Sequence, residues 1–212
     1  MNKTKQYVQS LYNDESNPLI ASMEQYAIEN NVPIMEKDGI EYLKQLIRIH
    51  QSNNIIEIGS AIGYSAIQMA SSMPDVQVYT VERDERRYET AKQYIQKANL
   101  EDRIHIDLDD ALNWIDYRFT TERFDLAFID AAKGEYINYV EKITPLLSKG
   151  SLLVVDNVLF KGYVSKEKQD NKRFVKIGEK IASFNEWLLD HPQYQTTIIE
   201  TGDGIAIALK TN

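Results

Sequence analysis

Residues 128–136, FIDAAKGEY, end an apolar run with an acid, Asp130, and place an amine, Lys133, three positions later. A second apolar run, GSLLVVD, ends in Asp156 with Asn157 directly after it. If both runs are strands lying side by side, their ends are about 4.8 Å apart, and two carboxylates and an amide oxygen can close on one ion. One acid at a strand end is ordinarily a cap. Two acids on neighbouring strands with an amide favour a cation site, and hard oxygens suit Mg²⁺ or Ca²⁺ rather than zinc. Mg²⁺ keeps positions open for substrate oxygens, and two vicinal oxygens can chelate it. An amine beside a dication is more readily neutral, because like charge disfavours the ammonium. Lys133 is then placed to accept a hydroxyl proton.

A second constellation precedes these residues. EIGSAIGYS (57–65) follows one apolar run and opens a helical pattern. Glycines at such a turn let backbone approach a ligand, and the helix N-terminus offers free N–H groups. Gly59 and Gly63 are four apart with Ala61 between them, so this is not G-x-G-x-x-G, and no Gly-Lys-Ser/Thr follows. The missing central glycine disfavours a dehydrogenase. Glu82 ends the next run, where doubly wound folds place an acid on a ribose hydroxyl pair. Asp110 follows the third run and is able to accept from an adenine amino group. The histidines, His50, His105 and His191, are scattered and receive no role.

The elements that must position these groups alternate. NIIEIG, VQVYTVE, RIHIDL, FDLAFID and GSLLVVD read as strands, and helical patterns separate them. That alternation predicts a parallel sheet covered on both faces. QTTIIETGDGIAIALK reads as two strands around Gly202-Asp203-Gly204, a hairpin that makes the last strand antiparallel. Before Asn53 the chain reads as helices, with Asn17-Pro18 as a cap and first helical position. A polar loop and the helix FVKIGEKIASFNEWLLDH precede the hairpin. The expectation is one domain over 1–212, with residues 1–52 a helical extension and 53–212 the α/β core.

The 212 residues suit a single core. Cysteine is absent from the sequence, which excludes disulfides and thiolate zinc sites. The first eighteen residues contain no apolar signal-like run, and no run approaches the roughly 20 residues of a spanning helix; a cytoplasmic protein without membrane partners is expected. The net charge of −8 argues against a broad nucleic-acid-binding face. Residues 161–180 differ: seven Lys/Arg against three Asp/Glu give +4 and leave −12 elsewhere. Such a run is usually a solvated helix face.

Taken together, E-x-G-x-x-x-G-Y-S, Glu82, Asp110-Ala111, FIDAAKGEY, VVDNVLFKG and the terminal hairpin resemble the S-adenosylmethionine-dependent O-methyltransferases of the catechol and caffeoyl-CoA type, from about Met35 onward. The resemblance implies a Rossmann-like class I methyltransferase fold: a mainly parallel seven-stranded sheet with an antiparallel last strand. It implies that Glu57, Gly59 and Gly63 shape the cofactor's methionine end and that Ser65 bonds its carboxylate or amino group. Glu82 would hold the ribose, Asp110 with Ala111 the adenine, and Met35 would lie over the cofactor. The family's metal ligands fall on Asp130, which also borders the cofactor, and on Asp156 and Asn157; the lysine proposed as its base falls on Lys133. Family members are commonly homodimers, and the N-terminal helices are plausible interface material.

VPIMEK (32–37), AIGYSAI and DNVLFKG carry a nearer likeness to bacterial tRNA 5-hydroxyuridine methyltransferases. These act at the wobble position, which would make a tRNA anticodon loop the partner. There, 5-hydroxyuracil offers its 4-carbonyl and 5-hydroxyl as the vicinal pair. Two departures stand out. Asp109 replaces a usual glycine, and Ala131-Ala132 replace the aromatic that catechol enzymes carry before the lysine. Small residues leave the pocket open for a base presented by a large nucleic acid, and residues 161–180 would meet its phosphates. The pI near 5.0 favours the alternative, a small catechol-like acceptor. A non-catalytic binding module fits poorly with Asp130, Lys133, Asp156 and Asn157 occurring together.

Overall fold

Three helices, α1 (Lys3–Leu11), α2 (Pro18–Asn30) and α3 (Lys37–His50), precede the first strand. The computed structural model describes residues 3–12 and 17–212; positions 1–2 and 13–16, within the stretch expected to be helical, lie outside the described residues. The α/β core follows as β1 (Asn54–Ile58), α4 (Tyr64–Ala70), β2 (Gln77–Glu82), α5 (Glu85–Lys97), β3 (Ile104–Leu108), α6 (Ala111–Arg118), β4 (Phe124–Ile129), α7 (Tyr136–Ile143), β5 (Leu147–Asp156), α8 (Lys172–Leu189), β6 (Tyr194–Ile199) and β7 (Ile205–Lys210). Among the described residues no helix is long and apolar enough to cross a membrane.

The seven strands lie in the order β3-β2-β1-β4-β5-β7-β6. Strands β1 to β5 are mutually parallel, and β7 runs antiparallel to both its neighbours. The fold is the Rossmann-like methyltransferase arrangement with its antiparallel last strand. Period-2 alternation sends Ile56, Ile58, Ala127, Ile129, Leu153 and Val155 to one face, where they meet Trp114, Tyr136, Val140 and Phe184. Ile55, Leu126, Phe128 and Val154 go to the other, against Ile40, Leu43, Ile47 and Ile67. Central strands buried on both faces explain why these runs read as continuously apolar.

Polar side chains set the helix starts. Asn17 Oδ1 accepts from the Leu19 and Ile20 amides at 3.1 and 3.3 Å, with Pro18 as first helical residue. Asp84 and Asp110 cap α5 and α6 in the same way. Helix α8 begins at Lys172, two residues before its apolar rhythm, because Asn171 Oδ1 accepts from the Arg173 and Phe174 amides. Helix α7 stops at Ile143: Pro145 imposes a 3₁₀ turn over Thr144–Leu146, and β5 starts at Leu147 rather than Gly150.

The segment between β5 and α8 is pinned from below. Phe160, Tyr163 and Phe174 form a mutual aromatic cluster with centroids 5.4 to 5.7 Å apart. Gly178 on α8 admits the Tyr163 backbone so closely that a Cβ there would lie 2.8 Å from the Tyr163 carbonyl oxygen. An exposed mid-helix Gly→Ala change normally stabilises by about 1 kcal/mol. Gly178→Ala is expected to do the reverse, lowering stability by roughly 1–3 kcal/mol through overpacking. Urea unfolding measures it, and a stabilised variant would contradict the contact.

Candidate active site

The reversal of strand order lies between β1 and β4, where helices leave to opposite faces and a crevice opens at the carboxyl ends of the strands. The turn after β1 fills this point. Gly59, Ala61 and Gly63 adopt φ of 94°, 46° and 81°. A Cβ on Gly59 would stand 2.5 Å from the Asp130 carbonyl oxygen, so only glycine fits against β4. The Asp130 amide donates to the Ile58 carbonyl at 3.0 Å, tying the two strand ends together.

Glu82 holds the turn from β2. Its Oε2 accepts from the Ala61 amide at 2.9 Å, and its Oε1 accepts from the Arg83 and Asp84 amides at the same distance. The left-handed Ala61 is therefore stabilised by the acid expected on the ribose. Asp110 begins α6, and its Oδ1 accepts from the Leu112 amide at 3.0 Å. Asp109 keeps a negative φ, so no glycine is required there. Its carboxylate accepts from the Asp110 amide and from the Tyr117 hydroxyl, fixing the loop by side-chain bonds instead.

Around these groups lies a cleft of about 270 Å³. Gly59, Glu82, Asp110, Ala111 and Asp130, all expected at the cofactor, line it together. Arg83, Arg87 and Tyr139 line it too, and no motif in the sequence points to them. Glu57, Gly63 and Ser65 do not line it. Gly63 packs against Ala91, and Ser65 donates to the Glu57 carboxylate at 2.5 Å. Glu57 is fully buried; among the described residues its Oε2 and the neighbouring turn hydroxyl of Ser60 have no hydrogen-bond partner. Burial, partly offset by Ser65, pushes the Glu57 carboxyl up to about 7. A glycine turn between two strand-end acids, with unpartnered oxygens behind it, fits a nucleoside cofactor that carries a cationic amino-acid end.

The chemistry-bearing residues sit at the cleft's inner end. Asp130 and Asp156 end adjacent parallel strands, as the sequence predicts, and Asn157 follows with φ 59°. Asp156 is 2% exposed, and its Oδ1 accepts from the Asn157 amide at 2.7 Å. Burial, reinforced by Asp130, pushes the Asp156 carboxyl up to about 8. Asp130 is also raised by burial, against the pull of Lys133. Lys133 is half-buried in the turn before α7, not exposed at the helix start. Its ammonium donates to Asn157 Oδ1 and lies 5.8 Å from the Phe160 ring centroid. Among the described residues no three Asp, Glu, His or Cys side chains gather as a cation site. The set is two carboxylates and one amide, hard oxygens that fit Mg²⁺ and whose mutual repulsion a cation would relieve.

A second cleft of about 640 Å³ opens on the other side of Asp130, Lys133, Asp156 and Asn157. Phe160, Lys161, Lys168 and Asp203 line it, and so does Met35, which the structure places here and not in the first cleft. Among the described residues no carboxylate comes within 4 Å of the basic groups of 161–180. The histidines stay outside both clefts; His50, for example, bridges the Ser52 hydroxyl and the Gly150 carbonyl.

Known proteins bear on this geometry. The family model described as O-methyltransferase matches residues 9–211. The chain is 29% identical over 193 residues to a caffeoyl-CoA O-methyltransferase of Populus kitakamiensis, covering 88% of this chain and 82% of that one. It superposes on a candidate caffeoyl-CoA O-methyltransferase of Staphylococcus aureus with TM-score 0.92 and 35% identity, over 99% of this chain and 100% of that one. It is likewise similar to TomG of Streptomyces achromogenes in complex with S-adenosylmethionine, with TM-score 0.85, 26% identity and coverage of 100% and 97%.

The buried Glu57 makes stability depend on pH. Its carboxyl titrates near 4.5 when unfolded and near 7 when folded, so the native state loses stability as pH rises through that window. The loss is roughly 3 kcal/mol. Glu57→Gln cannot ionise. In urea unfolding of the cofactor-free protein, the variant should gain on the wild type between pH 5 and pH 8. A gap that stays constant across this range would show that the carboxyl titrates normally.

Proposed function

Because this chain belongs to the O-methyltransferase family, whose relatives include an enzyme solved with S-adenosylmethionine, we propose that this S-adenosylmethionine-dependent enzyme methylates one of two vicinal oxygens on a small catechol-like acceptor. The observation that carries this is that Asp130, Lys133 and Asn157 line both clefts, with Asp156 beside them in the second. The names of the curated relatives, caffeoyl-CoA O-methyltransferase among them, favour the acceptor class.

The cofactor supplies an electrophilic methyl group on a sulfonium. A divalent cation held by Asp130, Asp156 and Asn157 would supply Lewis acidity toward the acceptor's oxygen pair. Glu82 and Asp110 orient the nucleoside end in the first cleft. Lys133 reaches both clefts, so its amine is positioned to take the hydroxyl proton as the oxygen attacks. Phe160 offers an aromatic face for a planar acceptor beside that amine.

A second acceptor is favoured by one specific observation. Ala131 and Ala132 leave the junction lined by small side chains, and Lys161 and Lys168 line the acceptor cleft free of ion pairs among the described residues. An open, basic-rimmed site suits 5-hydroxyuridine at the tRNA wobble position, giving 5-methoxyuridine, with phosphates of the anticodon loop along residues 161–180. A cytoplasmic homodimer belongs to the same proposal, with exposed Tyr7 and Leu11 of α1 as interface candidates.

Labelled methyl transfer to catechol, caffeoyl-CoA and 5-hydroxyuridine-bearing tRNA, with and without chelator, tests these assignments. A small diphenol should accept methyl, and chelation should abolish transfer; activity indifferent to chelator would remove the cation from the scheme. Methylation of tRNA alone would establish the second acceptor, in which case reversing charge at Lys172 and Arg173 should weaken tRNA methylation and spare cofactor binding. Lys133→Met should lower kcat by about 10²–10⁴-fold, the usual worth of a general base, with cofactor affinity retained.

A further inference from the structure

The turn between β6 and β7 reaches the active-site edge for a topological reason. Strand β6 runs in the direction of the parallel strands, so its hairpin tip must emerge at their carboxyl ends, and Ile205 pairs with Asp156. Gly202 and Asp203 at this tip thus line one side of the acceptor cleft.

The loop it meets is strained. Asn157, Phe160 and Lys161 all lie in the left-handed region, at φ 59°, 43° and 54°. Residues with side chains seldom adopt that region, and such a cluster persists only where surrounding groups fix it. The hairpin tip provides three fixings. The Val158 amide donates to the Gly204 carbonyl at 3.0 Å, and the Leu159 amide donates to the Asp203 carbonyl at 2.9 Å. The third needs a side chain: the Lys161 amide donates to Asp203 Oδ1 at 2.5 Å. Gly204 allows the approach, since a Cβ there would lie 2.3 Å from Leu159 Cγ.

We propose that Asp203 is a positioning residue for methyl transfer: its carboxylate clamps the Phe160-Lys161 turn and so holds the Asn157 amide oxygen and the Phe160 ring beside Lys133. This rests on Asn157 serving as a cation ligand. The clamp acts through one accepted hydrogen bond rather than through charge, so an asparagine at 203 retains it and an alanine does not. Asp203 does not line the cofactor cleft, so the cofactor half is untouched.

The test uses the full chain with Asp203→Ala and Asp203→Asn, measuring Mg²⁺ affinity by calorimetry, amide hydrogen exchange over residues 157–163, S-adenosylhomocysteine affinity, and kcat and KM for the acceptor. In Asp203→Ala, Mg²⁺ should bind about 10-fold more weakly, as for loss of a group that orients a ligand. Exchange over the loop should speed up and acceptor KM should rise, with S-adenosylhomocysteine affinity unchanged as the control for folding. Asp203→Asn should restore all three toward wild type. If Asp203→Ala does not fold, Asp203→Ser supplies the same comparison with Asn. Equal loop exchange in all variants overturns the clamp, and so does an asparagine variant as impaired as the alanine one. A wild type that binds no Mg²⁺ strikes the cation assignment instead, and loop exchange then decides the clamp alone.

Discussion

Gly59 passes the Asp130 carbonyl so closely that a side chain cannot enter, and the Asp130 amide bonds back to Ile58 at 3.0 Å. This backbone contact, between the parallel strands β1 and β4 where the order reverses, sets the distance between the two halves of the site. The glycine turn lines one cleft through Gly59 and Ala61. Asp130, gripped by the same contact, faces both clefts. Were β1 and β4 held farther apart, the turn and the acid would belong to different pockets. The parallel pairing of Ile58 with Ile129 therefore fixes the glycine turn against the strand end that carries Asp130.

The electrostatics follow from that closeness. Glu57, Asp130 and Asp156 end or nearly end strands, Glu57 and Asp156 are buried and Asp130 partly so, and loss of water raises the carboxyl pKa of each. A buried charge without a partner destabilises a fold. In the free protein, Ser65 and the Asn157 amide offset part of this, and Lys133 stands near the acid pair. A cationic amino-acid end near the glycine turn and a divalent ion between the acids would each relieve what remains. The groups that cost stability are the ones a cofactor and a cation can satisfy, as expected where function outweighs stability in a core.

Strand ends were legible and loop contacts were not. Asp130, Asp156 and Asn157 converge because consecutive parallel strands are commonly neighbours, so reading two apolar runs suffices to bring their ends together. Glu82 and Asp110 follow by the same rule. Met35, expected over the cofactor, lines the second cleft, and the path of the 31–36 segment that puts it there depends on packing that no period encodes. Ser65 turned to Glu57 for a reason invisible in one dimension: a buried carboxylate one turn away needs a donor. Asp109 replaces a glycine without strain because its carboxylate bonds the Asp110 amide and Tyr117. Asp203 was legible in principle, since an antiparallel last strand forces its hairpin tip to the carboxyl edge; taken only as a turn signal, it gave no hint of a role.

This division has a consequence for specificity. The cofactor half is built from strand ends and helix starts, whose positions the sheet register determines. The proposed acceptor half is built largely from four connections: the segment before α3, the Asp130–Lys133 turn, the loop after β5 and the hairpin tip at Gly202-Asp203. Sheet register resists change, because a one-residue slip would turn every core side chain outward. Loops tolerate substitution as long as their anchor points hold. A chain can keep the whole fold of a caffeoyl-CoA-type relative while presenting Ala131-Ala132 and a lysine-lined rim where another acceptor would need different walls. The sheet therefore fixes where the strand-end groups stand, and the loops around them shape what can reach those groups.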